Sequence, residues 1–94
     1  MNYVVIVGRI DDIIEVTKKQ IDLVISVSYK TDNEPNIKRK ARVNVYNTIA
    51  ENVMKYCKPS DVISVKGFID MDIKDNNIIV AEQISFMSST PQTK

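Results

Sequence analysis

Alternating apolar and polar positions divide most of the chain into segments typical of β-strands. The run Tyr3 to Val7 is apolar throughout and rich in valine, which indicates a strand covered on both faces. Gly8 interrupts this run where a bulge or sharp bend is expected, and the strand resumes over residues 13–16 before a polar turn at 18–20. The pattern predicts one long, bent first strand.

Two more strands and a short helix follow. Apolar residues occupy every odd position of the second strand, residues 21–29, and the polar segment 31–36 predicts a loop before a third strand over 37–46. Thr48 and Glu51 then have the spacing of a capping box at the start of a helix, which Pro59 ends. The helix is expected to be about ten residues long and to close one end of a sheet.

The last third of the chain predicts a β-hairpin. Residues 62–71 alternate so that Gly67 and Met71 face inward and Phe68 faces outward. A tight turn at 74–77 leads into a final strand over 78–87.

The order of these elements is strand, strand, strand, helix, strand, strand. It is the order of an all-β OB-fold, a five-stranded Greek-key barrel with one short helix between strands 3 and 4 that commonly binds oligonucleotides. An SH3-like barrel also has five strands, so the pattern alone leaves that alternative open. We expect one domain over residues 1–87, followed by a short polar tail over 88–94.

Composition excludes several classes of function. The chain of 94 residues has no histidine, a single cysteine and two glycines, so a Cys/His metal site, a Cys-His nucleophile pair and a glycine-rich phosphate loop are absent. Asp70 and Asp72 share a strand face and could hold Mg²⁺, although solvated strand carboxylates are the favoured interpretation. We expect no enzymatic activity, no cofactor and no metal, and we expect Cys57 to be a packing residue.

The N-terminus lacks the features of a secretory signal, and no apolar run approaches the ~20 residues of a membrane span. A cytoplasmic protein without a membrane partner is therefore predicted.

The charge is concentrated in the middle of the chain, although the formal net charge is only +1. Lys/Arg minus Asp/Glu gives 4 − 6 = −2 for residues 1–37, 7 − 2 = +5 for 38–67 and 2 − 4 = −2 for 68–94. If residues 37, 41, 43 and 45 face inward, the outer face of the third strand carries Lys38, Lys40, Arg42, Asn44 and Tyr46. Cations and one aromatic ring on one face suit the phosphates and bases of a single strand. A solvated edge guarded by lysines is the alternative.

Other aromatic residues bear on this choice. An outward Phe68 next to Lys66 favours a binding surface, because exposed phenylalanine is unfavourable unless it is covered. Tyr29 has inward parity but stands at a strand end, so its orientation stays open, and Tyr56 is expected to pack on the barrel.

Three segments resemble the DNA-binding domain of bacterial single-stranded DNA-binding proteins. They are VVIVGRI at Val4 to Ile10, the segment from Arg42 to Ile69, and IIVAEQISFM at Ile78 to Met87, which together cover nearly all of the chain. The resemblance implies an OB-fold that binds single-stranded DNA without sequence preference in replication, recombination or repair. By position, Tyr46 matches an aromatic on which the family stacks bases, and Arg9 matches the arginine that follows the first-strand glycine.

The resemblance also implies assembly into a homodimer or homotetramer, with the first strand in the dimer contact. The predicted interface residues are Tyr3, Val4, Val5, Ile6 and Val7. The predicted nucleic-acid-binding residues are Arg9, Lys30, Lys38, Arg39, Lys40, Arg42, Tyr46, Lys66, Phe68 and Lys74.

The chain also departs from the family. It has no tryptophan, and the family's other stacking positions fall near Thr31, Lys40 and residues 73–74. The finger between the last two strands is reduced to 74–77, and the chain ends in PQTK without the acidic tail that recruits replication and repair enzymes. We expect weaker and more salt-sensitive binding than typical members show.

Three alternatives remain from the sequence. A primosomal replication protein, a short tail-less dimer of the same fold that acts in replication restart, shares these losses. An OB-fold protein-interaction module that has lost DNA binding is suggested by the missing tryptophans. A nuclease is motivated only by Asp70 and Asp72.

Overall fold

The computed structural model describes residues 2–71 and 77–88. It contains five strands and one helix in the predicted order. Their bounds are β1 Val4–Thr17, β2 Gln20–Tyr29, β3 Ile37–Tyr46, α1 Asn47–Tyr56, β4 Val62–Met71 and β5 Asn77–Ser88.

The strands form a closed barrel in the order β1-β2-β3-β5-β4, with β4 returning to β1. All neighbouring pairs are antiparallel except β3 and β5, which pair in parallel only at Val43–Ile79 and Asn44–Val80. A five-stranded barrel with a helix between the third and fourth strands is an OB-fold. The predicted fold class is confirmed.

The alternation of apolar residues produces the barrel core. The fully buried cluster consists of Ile10, Ile21, Leu23, Ile25, Val43, Val45, Ala50, Val53, Ile63, Val65 and Ala81. The odd positions of β2 and β3 supply five of its members, as the period of two predicts. Ala50 and Val53 show that α1 turns one face onto the open end of the barrel.

The first strand is continuous and serves both sides of the barrel. Its first part pairs with β4 from Val4 to Arg9, and its second part pairs with β2 from Arg9 to Thr17. The register shifts lie after Ile10 and after Glu15, so of the bulge or sharp bend predicted at Gly8 the bulge is wrong. Gly8 is required instead by close approach to β2, because an added Cβ would lie 2.5 Å from the Ser26 carbonyl oxygen.

Gly67 has the inward position that the pattern predicts. It is buried beside a register shift between β4 and β5, and an added Cβ would lie 1.9 Å from the carbonyl oxygen of Val80. Only glycine allows β5 to pass so close at this register shift.

The predicted capping box is wrong. The helix begins at Asn47, and its N-cap residue Tyr46 has no side-chain hydrogen bond to the first turn. The chain enters the helix directly from β3 through Asn47 in the left-handed region (φ 55°), and the Asn47 N–H donates to the Lys19 carbonyl at 2.7 Å. Because the strand continues to the first helical residue, Thr48 lies inside the helix rather than before it.

Three side chains also differ in exposure from the prediction. Met71 is 64% exposed at the end of β4, where the barrel interior no longer covers it, and Tyr56 is 68% exposed rather than packed on the barrel. Phe68 lies on the outer face of β4, opposite Val80 of β5, and is half-buried there. Phe68 is therefore not the open aromatic that the alternation indicates.

Several predictions lie outside the described residues. These include Asp72, Lys74, most of the turn at 74–77 and the tail beyond Ser88, and the division into residues 1–87 and 88–94 stays a prediction. In the described part of the chain, no helix has the length and apolar character needed to cross a membrane.

Candidate nucleic-acid interface

The outer faces of β1, β2 and β3 bring the basic residues into register. Lys40 lies opposite Ser26, and Ser26 lies opposite Arg9, so these three residues form one line across the three strands. Lys38 lies opposite Ser28, and Arg42 lies opposite Val24. We call the surface formed by Arg9, Lys38, Lys40, Arg42, Asn44 and Tyr46 the basic face.

Small neighbours leave the lysines of the basic face open to solvent. Ser26 and Ser28 are the cross-strand neighbours of Lys40 and Lys38, and both lysines are exposed. A short hydroxyl side chain neither covers an ammonium group nor neutralises its charge. The ends of these lysines can therefore reach an anion approaching the sheet.

A carboxylate on β2 organises the next two residues of the basic face. Asp22, whose side chain is 11% exposed, accepts from Arg42 at its Oδ2 atom, 3.1 Å from Nε and 3.0 Å from NH2. Its other oxygen accepts a 2.6 Å hydrogen bond from the Asn44 amide. One nearly buried carboxylate thus holds both side chains, and Asn44 is its direct cross-strand partner.

A second carboxylate pairs with the basic face at the surface. Lys40 Nζ lies 2.9 Å from Asp11 Oδ2, and both side chains are well exposed, at 65% and 43%. Such an ion pair contributes about 0–1 kcal/mol to stability and exchanges readily with solvent ions. Asp11 lies between Ile10 and Asp12 of β1, at a register shift in the pairing with β2.

Two tyrosines stand at the ends of the β2–β3 ladder. Tyr46 is 40% exposed opposite Gln20, and Tyr29 is 48% exposed opposite Ile37. At about 3.3 Å per residue, the two ends of this ladder are separated by roughly 30 Å. The open orientation of Tyr29 is thereby resolved: its parity is inward, but the barrel no longer covers it at the strand end.

Arg9 of the basic face has a hydrogen bond of its own, and two further predicted binding residues, Lys30 and Arg39, lie outside the basic face. Arg9 donates from NH1 to the Ser60 carbonyl at 2.9 Å. Lys30 is exposed just after β2, and Arg39 is exposed with its NH1 donating to the Lys38 carbonyl at 3.1 Å. Both lie near the Tyr29 end of the ladder.

Lys66 and Phe68 belong to a different part of the surface. They lie on β4, which is separated from β3 by β5, and the Lys66 ammonium lies 5.3 Å from the centre of the Tyr3 ring. The barrel therefore does not bring these two residues next to the basic face. Lys74 is outside the described residues.

An apolar surface occupies the outer face of the first half of β1. Tyr3, Val5 and Val7, which we call the β1 strip, are 57%, 57% and 52% exposed, while the intervening Val4 and Ile6 are half-buried. Asn2 fixes the start of the strip, because its side-chain amide donates to the Ile69 carbonyl and accepts from the Ile69 N–H. Within the described residues, Val4 to Gly8 pair with β4 on one side and with no strand on the other.

A cleft of about 420 Å³ lies between α1 and β5. Its lining includes Tyr56, Cys57, Ile84 and Phe86. Cys57 is half-buried and packs against the core, as expected, and burial, with a smaller effect of Asp61, raises the pKa of its thiol. Among the residues that the structure describes, no cluster of three possible metal ligands is present.

Sequence reasoning found the cations and Tyr46 but missed the two carboxylates that pair with them. Asp22 has outward parity in a strand whose other face is apolar, so its place on the outer surface follows from the alternation. Its pairing with Arg42 and Asn44 depends on the register between β2 and β3, which the loop at residues 31–36 determines and which no local pattern reveals.

Comparison with known proteins supports the fold. No protein-family model matches the chain, and no curated protein matches it in sequence. A small single-stranded DNA-binding protein from Mycoplasma pneumoniae has a TM-score of 0.71 and 18% identity, over 100% of this chain and 98% of that protein. The mitochondrial single-stranded DNA-binding protein from S. cerevisiae has a TM-score of 0.76 and 15% identity, over 96% and 98%.

The protein priB from Ralstonia solanacearum is similar to the same degree, with a TM-score of 0.72 and 13% identity over 93% of this chain and 99% of that protein. The resemblance noted in the sequence is thus confirmed in structure, at identities that establish the fold alone. The chain has the five-stranded barrel of these small single-stranded DNA-binding proteins and covers 98% of the two compared above.

Proposed function

We propose that the protein binds single-stranded DNA without sequence preference along the basic face. The observation that carries this proposal is the set of exposed cations on β1 and β3, with Arg9 and Lys40 on either side of Ser26 of β2, and the exposed Tyr46 at one end of the same face. The similarity in fold to proteins named for single-stranded DNA binding supports it. We infer roles in replication, recombination or repair from the same similarity.

The chemistry of the basic face divides between phosphate and base. Arg9, Lys38, Lys40 and Arg42 offer positive charge to the backbone, and each phosphate that they neutralise adds about 0.7 to the slope of log affinity against log salt. Bases stack on Tyr46, at roughly 1–3 kcal/mol per base. Neither contact reads a base edge, so the binding has no sequence preference.

Charge-matched variants test this proposal. Lys38→Ala with Lys40→Ala removes two cations from the basic face, while Lys18→Ala with Lys55→Ala removes two from the side of the barrel where the β1–β2 turn meets α1. We expect the first variant to bind a dT oligomer at least about tenfold more weakly at low salt, with a slope reduced by about 1.4 for two lost phosphates. The second variant should change affinity by less than about threefold, because neither lysine lies on the basic face and salt screens exposed charges.

Fluorescence anisotropy of a labelled dT oligomer of about 16 nucleotides, at several salt concentrations, makes the measurement. Equal losses in both variants, or equal affinity for duplex DNA, would contradict the proposal. Unchanged affinity in the Lys38/Lys40 variant would show that DNA binds elsewhere, and absence of binding by the wild-type protein would favour a protein-interaction module instead.

A second candidate is a dimer that acts in replication restart, like the primosomal replication protein. The likeness to priB and the β1 strip favour it. We infer that two copies associate through the β1 strip, with antiparallel β1 strands covering each other's open edge. This candidate differs from the first in cellular role, not in the chemistry of the basic face.

A further inference from the structure

The two carboxylates of the basic face hold their cations in different ways. Asp11 meets Lys40 in the open, whereas Asp22 is 7% exposed as a residue and meets both Arg42 and Asn44. Both carboxylates compete with phosphate for a cation. They differ in the free-energy cost of losing that cation to the phosphate.

We propose that Asp22 is a positioning residue for DNA binding, which keeps Arg42 and Asn44 aimed outward while a phosphate binds. Asp11, in contrast, is an exchangeable counter-ion that gives up Lys40 to the phosphate. This inference rests on the proposed function and specifies how two of its cations act.

The geometry of Arg42 allows it to bind two anions at once. A guanidinium group has five N–H donors, and Asp22 Oδ2 engages Nε and one hydrogen of NH2. About three donors remain for a phosphate on the other edge of the group. The Arg42 side chain is 61% exposed, so this edge reaches solvent although the Asp22 carboxylate does not.

The energetics favour retention of the Asp22 contacts. If Arg42 left Asp22 for a phosphate, a nearly buried carboxylate would lose its cation, and such losses typically cost several kcal/mol. Exchange of Lys40 from Asp11 leaves a carboxylate that water solvates at once, at a cost of about 0–1 kcal/mol. Arg42 thus stays in place when DNA binds, and Lys40 changes partner.

Asn44 strengthens the same arrangement. Its amide nitrogen is engaged by Asp22 at 2.6 Å, so the amide is held in one orientation between Arg42 and Tyr46 on the outer face of β3. A fixed Asn44 limits the side-chain freedom of its neighbours, and preorganised groups lose less entropy on binding.

Asp11→Asn and Asp22→Asn distinguish positioning from simple charge. Each variant removes one negative charge from the basic face and keeps the side-chain size. If only net charge mattered, both would tighten binding to the dT oligomer. The proposal expects opposite signs: Asp11→Asn binds about threefold more tightly because Lys40 is released, and Asp22→Asn binds about fivefold or more weakly because Arg42 loses its charge-assisted hydrogen bonds.

The salt dependence gives a second measure that a purely structural role would not change. Between about 50 and 200 mM salt, the slope for Asp22→Asn should fall by about 0.7, the value of one phosphate contact. The slope for Asp11→Asn should be unchanged or larger. Tighter binding by Asp22→Asn, or an unchanged slope, overturns the inference.

Arg42→Lys keeps the inference testable if Asp22→Asn does not fold. Lysine preserves the charge but has no planar fork to hold Asp22 and a phosphate together. Weaker binding with a reduced slope supports the inference, and wild-type affinity overturns it. If the wild-type protein does not bind dT, the proposed function itself is wrong. If it binds dT but both Asp variants change affinity in the same direction, only the inference about Asp22 is wrong.

Discussion

The basic face and the β1 strip are both outer surfaces of one barrel, and they differ in how far their charges and strand edges are satisfied within the protein. The basic face lies on strands that pair with neighbours, and Asp11 and Asp22 partly satisfy its charges. The β1 strip is apolar, and its strand edge pairs with β4 alone in the described part of the chain. A solvated surface whose charges are partly paired within the protein suits a ligand that binds reversibly, whereas an apolar surface with an unpaired strand edge suits a permanent partner.

The comparison also shows that the two surfaces are separable. Arg9 is the residue at which β1 passes from β4 to β2, so the strip ends where the basic face begins. Lys66 lies beside the β1 strip rather than on the basic face, since its ammonium group lies over the Tyr3 ring. Changes in one region should therefore leave the other largely intact.

The largest expected effect comes from a charge placed in the β1 strip. Val7→Asp should abolish self-association, because burying a carboxylate between two apolar strips costs more than about 4 kcal/mol. Val16→Asp is a matched control, since Val16 lies on the same strand at 50% exposure, close to the 52% of Val7. Light scattering should give the protomer mass for Val7→Asp and the wild-type mass for Val16→Asp.

DNA binding provides the other half of this test. Affinity per protomer for a short dT oligomer should change little in Val7→Asp, because the basic face is separate. A Val7→Asp protein that retains the wild-type mass would show that the strip is not the contact surface. Loss of both mass and short-oligomer binding would show that the two regions are coupled.

The next largest effect is expected at the glycines that support each region. Gly67→Ala places a methyl group against the Val80 backbone at 1.9 Å, so β4 or β5 must shift beside the β1 strip. We expect the free energy of unfolding to fall by roughly 3 kcal/mol. Gly8→Ala would place its methyl group 2.5 Å from both the Ser26 carbonyl oxygen and an Ile25 methyl group. We expect a smaller loss of stability than for Gly67→Ala, because this approach is less close and the Ile25 side chain can move.

Urea unfolding of both variants makes this measurement, with Ala41→Gly as a reference for a glycine–alanine exchange within a strand that does not involve close approach. The unfolding midpoint should fall most for Gly67→Ala. A Gly67→Ala protein as stable as wild type would mean that the β4–β5 contact is looser than its geometry indicates.

The alternation of the sequence predicts this barrel because a period of two decides which face of each strand is buried. Leu23 and Ile25 on β2, with Val43 and Val45 on β3, are all fully buried where the pattern places them. The same pattern identifies the outward cations of β3, since they occupy the alternate positions. Element order then limits the fold to a small barrel.

Features that depend on two distant segments could not be read in this way. The pairing of Asp22 with Arg42 requires the β2–β3 register, and the close approach at Gly8 requires the position of β2. The capping box at Thr48 fails for a related reason: the local spacing is correct, but β3 extends to Tyr46 and the helix begins immediately after it. Local pattern describes each element, whereas register and junctions arise from the assembled barrel.

The smallest of these effects, at a single aromatic, tests whether the basic face binds bases as well as phosphates. Tyr46→Ala should weaken binding to the dT oligomer by about 2 kcal/mol, the value of one stacked base, while Tyr46→Phe keeps the ring and should bind nearly as wild type does. Tyr56→Ala is the control, because Tyr56 is 68% exposed on the helix and apart from the basic face. The salt slope should be the same in all three variants, since no phosphate contact is lost. If Tyr46→Ala binds like wild type, the basic face holds single-stranded DNA by charge alone. The basic face would then bind only through electrostatics, whereas the β1 strip binds through apolar contact.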